Sequence, residues 1–330
     1  MKENLIRAEN TVRLRRALRA MGSATKPALA QRTGLSPVTV GTLMGVMVES
    51  GEAEITNRSE MNGGRPAVVY RYNPDYIRTM AVVVWHTRSG EQVRLEVRDA
   101  IGHTLWRREA TVAIDDVAFL DGMIGEAMAV CEDVRAIALG LSGEELEGVM
   151  AVSDYRVLNG QSVSGHLREK FGVPVVVEND AKAALTGYCA AHAECAEQTV
   201  VALYMPSDHL PGAAVWADGH VLHGRNGMSG EVVHMPLGID WQTPKKGEAF
   251  WKDVLAKMML CLLAVANPHR VIVYGEMASD GALKEAVARA AIPAGGALMP
   301  DEICRSDYAG DMLEGAAKLA WHLAAPEMEE

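Results

Sequence analysis

A short stretch near the N-terminus carries small and hydroxylated residues of the kind that read DNA bases. Ser36 and Pro37 suit the N-cap and the first turn of a helix. Val38, Thr39 and Thr42 follow on the part of that helix that we expect to be exposed. In a major groove, threonine hydroxyls can hydrogen-bond to base edges and methyl groups can contact thymine. The stretch therefore predicts the recognition helix of a helix-turn-helix domain.

Other residues nearby suit the phosphate backbone of DNA. Thr25 is placed to cap a preceding short helix, and helix N-termini offer free amides to phosphate. Lys26, Arg32 and Arg58 are candidate phosphate contacts. Contacts of this kind orient a protein on DNA without reading its sequence, so we expect them to strengthen binding to all sequences alike.

A glycine-rich run completes this domain as the tip of a wing. Gly63-Gly64-Arg65-Pro66 lies between two predicted strands, Ala53–Thr56 and Ala67–Tyr72. Arg65 on such a stiff junction can enter a narrow minor groove, or it can merely stabilise the turn. For the domain as a whole, a small structural subdomain is the alternative to DNA binding.

Three helices must hold these residues in place. Residues 4–21 carry spaced apolar side chains among five arginines and predict a helix with a basic face. A short second helix follows Thr25, and Gly34 permits the turn into a third helix over about 37–50. The predicted core positions of the third helix are Val40, Leu43 and either Val46 or Met47.

The basic residues are concentrated in this N-terminal part. Residues 1–78 hold twelve Lys/Arg and seven Asp/Glu, whereas the whole chain has a formal net charge of −11. A basic head on an acidic body fits a protein in which only the head approaches phosphate, although chance variation between domains is the alternative. The five cysteines lack paired zinc spacing and suit a reducing compartment. With no apolar stretch of about 18 residues and no signal peptide, we expect a cytoplasmic protein without membrane contact.

Beyond residue 78, short apolar runs alternate with helical stretches, which predicts an α/β body with two lobes. The predicted strands are Met80–Val84, Val93–Val97, Ala136–Leu141, Val173–Val177, Thr199–Tyr204, Ala213–Trp216 and Val271–Tyr274. The predicted helices cover residues 117–132, 163–171, 181–191, 248–266, 281–290 and 309–324.

Several motifs resemble those of the ROK family, which comprises repressors, open reading frames and sugar kinases. The segment from Leu29 to Val40, with the later Gly-Arg-Pro run, is similar to the winged helix-turn-helix head of its repressors. In the body, Glu178-Asn179-Asp180-Ala181 resembles the family's Glu-Asn-Asp-Ala run, and Gly230-Glu231-Val232-Val233-His234 resembles its Gly-Glu-x-x-His motif. Residues 311–320 resemble its closing helix. The resemblance implies a two-lobed, actin/hexokinase-like (ribonuclease H-like) body with sugar in the cleft.

The resemblance also implies a set of sugar-binding residues. Asn179 and Asp180 would bind sugar hydroxyls, and Asp180 stands at the position of the general base in the family's kinases. Carboxylates and amides suit this task because each hydroxyl is both a donor and an acceptor. As an alternative, Asp180 is placed to cap the helix over 181–191.

Four further residues complete the candidate sugar site by the same resemblance. Glu231 and His234 would add contacts to the ring of hydroxyls, and Gly143 and Asp154 are additional candidates. For Glu231 and His234, a solvated turn without a ligand is the alternative.

The chain departs from the family at the elements that hold nucleotide and metal. Val84-Trp85-His86-Thr87-Arg88 stands in place of the Asp-x-Gly-x-Thr phosphate loop of the kinases. Residues 206–211 stand in place of a Gly-Thr-Gly loop, and their prolines and Asp208 are unsuited to phosphate. Gly275-Glu276 replaces a Gly-Gly pair, and residues 241–251 lack the family's zinc-binding cysteines. We therefore expect no kinase activity, no cofactor and no metal.

These observations predict a transcriptional regulator, in particular a repressor of carbohydrate-related genes. We expect a DNA-binding head over residues 1–78, a first lobe over 79–188 completed by about 308–330, and a second lobe over 189–307. The protein would bind a double-stranded operator as a homodimer or tetramer and sense a sugar or sugar phosphate in its body. The alternatives are an active sugar kinase with a DNA-binding head and a regulator whose body only dimerises.

Overall fold

The N-terminal residues form three helices and a small three-stranded sheet, which together we call the head. A computed structural model describes residues 2–56, 68–206, 209–241, 247–294 and 296–325. In the head these are α1 (Lys2–Met21), β1 (Ser23–Thr25), α2 (Lys26–Thr33), α3 (Pro37–Glu49), β2 (Ala53–Thr56) and β3 (Val69–Tyr72). The strands lie in the order β1-β3-β2 and are antiparallel. Strand β1 was not predicted, because three residues are too few to show an alternating pattern.

Side-chain caps begin α2 and α3, and a glycine ends α2. The Thr25 hydroxyl accepts a hydrogen bond from the Ala28 amide at 3.4 Å, and the Ser36 hydroxyl accepts one from the Thr39 amide at 3.1 Å. Gly34 ends α2 with a left-handed φ of 71°, which a residue with a Cβ would adopt at a cost. The predicted caps are therefore confirmed.

The buried positions of α3 follow one stripe of the helix. Val40, Leu43, Met44 and Met47 are buried against the apolar side chains of α1. Their spacing is the i, i+3, i+4, i+7 pattern of a helix with one apolar face. Val46 lies off this stripe and is 44% exposed, so of the two predicted alternatives Met47 is correct.

The first sheet of the body is mixed and takes its strands from residues 78–179. It has the order β10-β7-β4-β5-β6, in which β4, β7 and β10 are parallel. Because the carboxyl ends of parallel strands share one edge, polar residues that follow them can meet there. The elements are β4 (Arg78–Thr87), β5 (Gly90–Arg98), β6 (Thr104–Val112), α4 (Asp121–Val130), β7 (Val134–Leu141), β8 (Glu144–Leu146), β9 (Val149–Val152), α5 (Val163–Phe171), β10 (Val175–Asn179) and α6 (Asp180–Ala191).

The second sheet takes its strands from residues 200–305 in the order β13-β12-β11-β14-β15, with β11, β14 and β15 parallel. Its elements and the closing helix are β11 (Val200–Tyr204), β12 (Gly212–Ala217), β13 (His220–Val221), α7 (Gly247–Ala266), β14 (Arg270–Tyr274), α8 (Asp280–Ala294), β15 (Glu302–Arg305) and α9 (Tyr308–Ala324). All the strands predicted in the body are present. Strand β6 was missed, since its side chains are mostly exposed and polar, as was β15.

Helix α9 packs along α6 and against the first sheet, and the two helices touch through glycines. A Cβ on Gly187 would overlap the Asp311 carbonyl, and one on Gly315 would overlap the Ala183 carbonyl. Two sheets with helices packed between and around them form the two-lobed, actin/hexokinase-like body that the sequence predicts. Among the described residues, none of the helices combines the length and apolarity needed to cross a membrane.

The head is not an isolated unit, because its core continues into the C-terminal end of α9. Trp321 and Ala325 belong to the same buried cluster as Leu14 and Leu18 of α1. The Arg19 guanidinium lies 3.8 Å from the ring centroid of Trp321, a cation–π contact between head and body.

Candidate ligand site and nucleic-acid interface

Residues from both sheets meet between the two lobes in a group that we call the cleft cluster, made of His86, Glu91, Asp154, Asp180 and His209. His86 lies on β4 and Glu91 on β5, whereas Asp154 follows β9. Asp180 opens α6, and His209 follows β11 of the second sheet. The parallel order of β4, β7 and β10 brings the first-sheet members to a common edge.

Asp180 is the most deeply buried member of the cleft cluster. Burial raises the pKa of its carboxyl to about 6, and the nearby charge of Asp154 adds to the rise. The Tyr308 hydroxyl, the Ala181 amide and the His209 charge oppose this rise without cancelling it. A carboxyl with this pKa accepts and releases protons close to neutral pH.

Asn179, directly before Asp180, caps α6 with its side chain. Its Oδ1 accepts hydrogen bonds from the amides of Ala181 at 3.0 Å and Lys182 at 3.2 Å. The alternative that Asp180 is the N-cap is therefore wrong, because the helix begins at Asp180 and the cap lies one residue earlier. The amide oxygen predicted to read sugar is engaged with the backbone of the helix.

Asp154 and Gly143 lie on the two sides of one small hairpin. The Ser142 hydroxyl donates to Asp154 Oδ2 at 3.0 Å, and His209 Nδ1 lies 3.2 Å from the same oxygen. Gly143 has a φ of 135°, and a Cβ there would collide with the backbone oxygen of Val152. Gly143 thus permits the close approach of the two chain segments that positions Asp154. Since glycine has no side chain, its contribution to the site is this backbone geometry.

Three members of the cleft cluster were not predicted as site residues from the sequence, namely His86, Glu91 and His209. His86 Nδ1 lies 2.7 Å from Glu91 Oε1, and His209 Nε2 lies 3.7 Å from the same oxygen. Tyr155 donates its hydroxyl to Glu91 Oε2 at 2.8 Å. The signal was present, because His86 and His209 lie in the two runs at which the sequence departs from the phosphate loops that the resemblance leads one to expect.

The charge state of His209 is set by its carboxylate neighbours. Burial disfavours the imidazolium, but the hydrogen bond with Asp154 and the charge of Glu91 outweigh it and raise the pKa of His209 above its usual value. The cleft cluster therefore alternates imidazole and carboxylate groups, an arrangement that can bind either hydroxyl groups or a cation.

A buried lysine ties the cleft to the second lobe. Lys182 donates to Glu144 Oε1 and to the backbone oxygen of Gly227, and both side chains of the ion pair are buried. Desolvation lowers the pKa of Lys182 to about 8, and the charge of Glu231 opposes this. The lysine was not predicted, since a lysine after the Asp-Ala pair at the start of a helix is normally expected at the surface.

Glu231 and His234 do not join Asp180 in the cleft cluster. They line a pocket of about 610 Å³ whose other walls are mostly apolar, including Val215, Met228 and Leu262. His234 is exposed and Glu231 is half-buried, and both lie at a short 3-10 turn. Among the described contacts, no hydrogen bond or ion pair joins Glu231 or His234 to Asn179 or Asp180, although the charge of Glu231 acts on Lys182, two residues after Asp180.

The residues of the cleft do not fit the phosphates of a nucleotide. His86 and His209 are surrounded by the carboxylates of Glu91 and Asp154, which would repel a phosphate group. Nor do residues 241–251 fit the zinc of the family, since they hold no cysteine.

The head presents the N-terminal part of α3 to solvent. Val38 is 78% exposed, although large apolar side chains are usually covered. Thr42 is exposed and donates its hydroxyl to the Val38 carbonyl at 3.2 Å, and Thr39 Oγ1 lies 2.8 Å from Ser36 Oγ. These hydroxyls retain acceptor capacity for a base edge or a phosphate.

The predicted phosphate contacts are only partly described by the structure. Lys26, at the start of α2, extends toward α3, where its Nζ would lie 3.3 Å from a Cβ on Gly41. Arg32 is exposed near the end of α2. Arg58 and Arg65, together with the Gly-Arg-Pro run, lie outside the described residues.

Comparison with known proteins places these features in a family context. A profile described as the ROK family matches residues 90–249. A solved ROK family transcriptional regulator, described as a homologue of the E. coli MLC protein, aligns with a TM-score of 0.69 over 98% of each chain at 15% identity. A ROK hexokinase from Thermus thermophilus aligns with a TM-score of 0.59 over 74% of this chain and 98% of that chain at 19% identity.

One curated relative is similar at the level of sequence. The N-acetyl-D-glucosamine kinase of Erwinia tasmaniensis is 26% identical over 161 residues, which cover 46% of this chain and 51% of that protein. The chain thus spans about half the length of this curated relative. At these identities the solved structures establish a shared fold, which regulators and kinases have in common.

Proposed function

We propose that this chain, whose residues 90–249 match the ROK family profile, is a DNA-binding transcriptional regulator. The head binds double-stranded DNA, and the body binds a sugar or sugar derivative in the cleft. The single observation that carries the proposal is the exposed N-terminal part of α3, which is capped by Ser36 and presents Val38 and Thr42 to solvent.

The geometry of the head supports docking in a major groove. In helix-turn-helix proteins the second helix of the motif inserts its N-terminal residues between the phosphate ridges. The exposed Val38 matches the thymine methyl group, and Thr39 and Thr42 offer hydroxyls to base edges. Lys26 lies beside the same helix and can neutralise a phosphate.

Helix α9 supports communication between the cleft and the head. Its first residue, Tyr308, lies against Asp180 and stacks on Tyr204 with 3.9 Å between ring centroids. Its last turn carries Trp321, which contacts Arg19 of the head. A helix of 17 residues is about 25 Å long, so ligand binding at one end can shift the head at the other. In a homodimer on a palindromic operator, such a shift changes the spacing of the two recognition helices.

In this proposal the protein does not phosphorylate sugars as its main activity. The carboxylates of Glu91 and Asp154 border the runs that replace the family's phosphate loops, and they favour hydroxyl groups or cations over phosphate. The specific observation in favour of a kinase is the Asp180 pKa of about 6, which suits a general base. An assay of ATP consumption over a panel of hexoses separates the two, and turnover that Asp180→Asn abolishes would establish the kinase.

DNA binding is tested with a matched pair of threonine variants. Thr42 donates to the carbonyl four residues earlier on α3, and Thr11 does the same on α1. Footprinting on DNA upstream of the protein's own gene and of neighbouring genes locates a site at low salt. We expect Thr42→Ala to weaken specific binding about tenfold and Thr11→Ala to leave it unchanged. Tenfold is about 1.4 kcal/mol, the low end of the roughly 1–3 kcal/mol that a good bidentate base contact contributes. Absence of any protected site would overturn the proposal.

Sugar sensing is tested separately by thermal denaturation. A ligand that binds the folded state raises the melting temperature, and a concentration a hundred times Kd adds about 2.7 kcal/mol. We expect at least one sugar to stabilise the protein and Asp154→Asn to remove the effect. If a broad sugar panel leaves the melting temperature unchanged, the body is a dimerisation scaffold and only DNA binding remains of the proposal.

A further inference from the structure

We propose that His86, Glu91 and His209 form a binding site for a divalent transition-metal ion, with zinc as the best-suited ion. Each residue offers one ligand atom, and these atoms lie within 4.8 Å of one another. Two imidazole nitrogens and one carboxylate oxygen are the donors of zinc sites that keep a fourth position open. The residues come from β4, β5 and the segment after β11, so the site joins the two lobes.

The distances between the donor atoms bracket those of a tetrahedral site. His86 Nδ1 is 2.7 Å and His209 Nε2 is 3.7 Å from Glu91 Oε1. Ligands about 2.0–2.2 Å from a tetrahedral zinc lie about 3.3–3.6 Å from each other. An ion between these atoms therefore requires only small side-chain movements. His86 Nδ1 would move away from Glu91 Oε1, and His209 Nε2 would move toward it.

A second layer of polar contacts orients two of the three ligands. His209 binds Asp154 through Nδ1, at 3.2 Å, which directs Nε2 toward Glu91. Glu91 accepts from the Tyr155 hydroxyl with Oε2 at 2.8 Å, which directs Oε1 toward the histidines. Metal-binding histidines usually have such a carboxylate partner on the other ring nitrogen, and such partners tune affinity.

Access and charge also fit an ion. The side chains of His86, Glu91 and His209 are each 18% exposed, so the group is largely enclosed yet open to solvent. Glu91 and Asp154 offset the charge of a divalent cation. Another histidine–carboxylate group, His166 with Asp121, differs because Lys170 already supplies the cation to Asp121 at 2.6 Å.

The site is distinct from the family's cysteine-rich zinc site, since it uses other residues in another part of the fold. It also goes beyond DNA binding and sugar sensing, because an ion held by three ligands could take an oxygen atom of a ligand bound in the cleft as its fourth partner. The ligand set selects zinc or a similar ion over magnesium, which prefers oxygen donors in octahedral geometry.

The experiment uses the full chain after removal of metal with a chelator, titrated with zinc chloride in a calorimeter. We expect one tight equivalent of zinc and no comparable binding of magnesium. His86→Ala and His209→Ala should each weaken zinc binding at least tenfold. The matched control is His220→Ala, which removes an exposed histidine on β13 and should leave binding unchanged.

Cobalt supplies a second readout that identifies the ligands. Cobalt bound by nitrogen and oxygen donors gives visible d–d bands, which His209→Ala should abolish. A thiolate-to-cobalt charge-transfer band would assign binding to the cysteines and overturn the proposal, as would zinc binding that survives both histidine substitutions. Should an alanine variant fail to fold, Glu91→Gln and Tyr155→Phe keep the side-chain shapes and should still weaken binding about tenfold. None of these readouts depends on DNA or sugar, so their outcome is independent of the proposed function.

Discussion

The buried pair of Lys182 and Glu144 leads to a strong prediction about stability. Lys182 is 1% exposed and Glu144 is 7% exposed, and the ammonium group also donates to the Gly227 carbonyl. Lys182→Met removes the cation and leaves the Glu144 carboxylate buried without its partner. Breaking a buried ion pair from one side costs about 3–5 kcal/mol of the free energy of unfolding, because an uncompensated charge remains.

The second arm of this experiment replaces both partners. Lys182→Met combined with Glu144→Met removes both charges with side chains of similar volume, and such a change is often neutral or stabilising. We therefore expect the double variant to regain most of the stability that the single variant loses. Urea denaturation at pH 7, followed by circular dichroism, measures the free energy of unfolding of each protein.

The control for this cycle is an exposed lysine in a similar ion pair. Lys170 lies 2.6 Å from Asp121 but is 47% exposed, so Lys170→Met should cost less than about 1 kcal/mol. The reasoning is refuted if Lys182→Met also costs less than about 1 kcal/mol. It is equally refuted if the double variant is no more stable than the single one, since the cost would then come from packing and not from charge.

Three further predictions concern the cleft, the head and their connection. The pKa of Asp180 is about 6 in the folded protein and lower in the unfolded chain, so the folded state binds the proton more tightly. The free energy of unfolding of the wild type therefore falls as the pH rises from about 4 to 6. Asp180→Asn should therefore stabilise the metal-free protein by up to about 3 kcal/mol at pH 8 and by little at pH 4, and equal effects in melts at both pH values would contradict this. Lys26→Ala should lower the slope of log affinity for DNA against log salt by about 0.9, whereas the body variant Lys257→Ala should leave it unchanged. Trp321→Leu removes a cation–π contact with Arg19 that is worth about 0.5–2 kcal/mol. Calorimetry of this variant should show the head unfolding at a lower temperature than the body. A single transition at the wild-type temperature would contradict the coupling of head and body through α9.

Much of the fold could be predicted because its signals are local. Helix caps such as Ser36 and Thr25 act within three residues, and apolar runs such as Val134–Leu141 identify buried strands from their own composition. The missed strands lacked such a signal. Strand β6 has mostly exposed polar side chains and belongs to the sheet only because it pairs with β5.

The candidate site was predicted less completely, because its members are brought together by the order of strands. Asp154 and Asp180 were identified from family motifs, and their electrostatic coupling agrees with a common site. The motif residues Glu231 and His234 line a mostly apolar pocket, and no described hydrogen bond or ion pair joins them to Asp180. None of the family motifs found in the sequence contains His86, Glu91 or His209.

The sequence by itself determined the three helices of the head, their caps and the α/β character of the body. Each of these follows from residue types within a few positions of one another. Only the tertiary structure decided that Asn179 caps α6, that Lys182 is buried with Glu144, and that α9 joins the cleft to the head. Those contacts depend on the parallel register of β4, β7 and β10 and on the packing of α6 against α9, which join residues far apart in the chain.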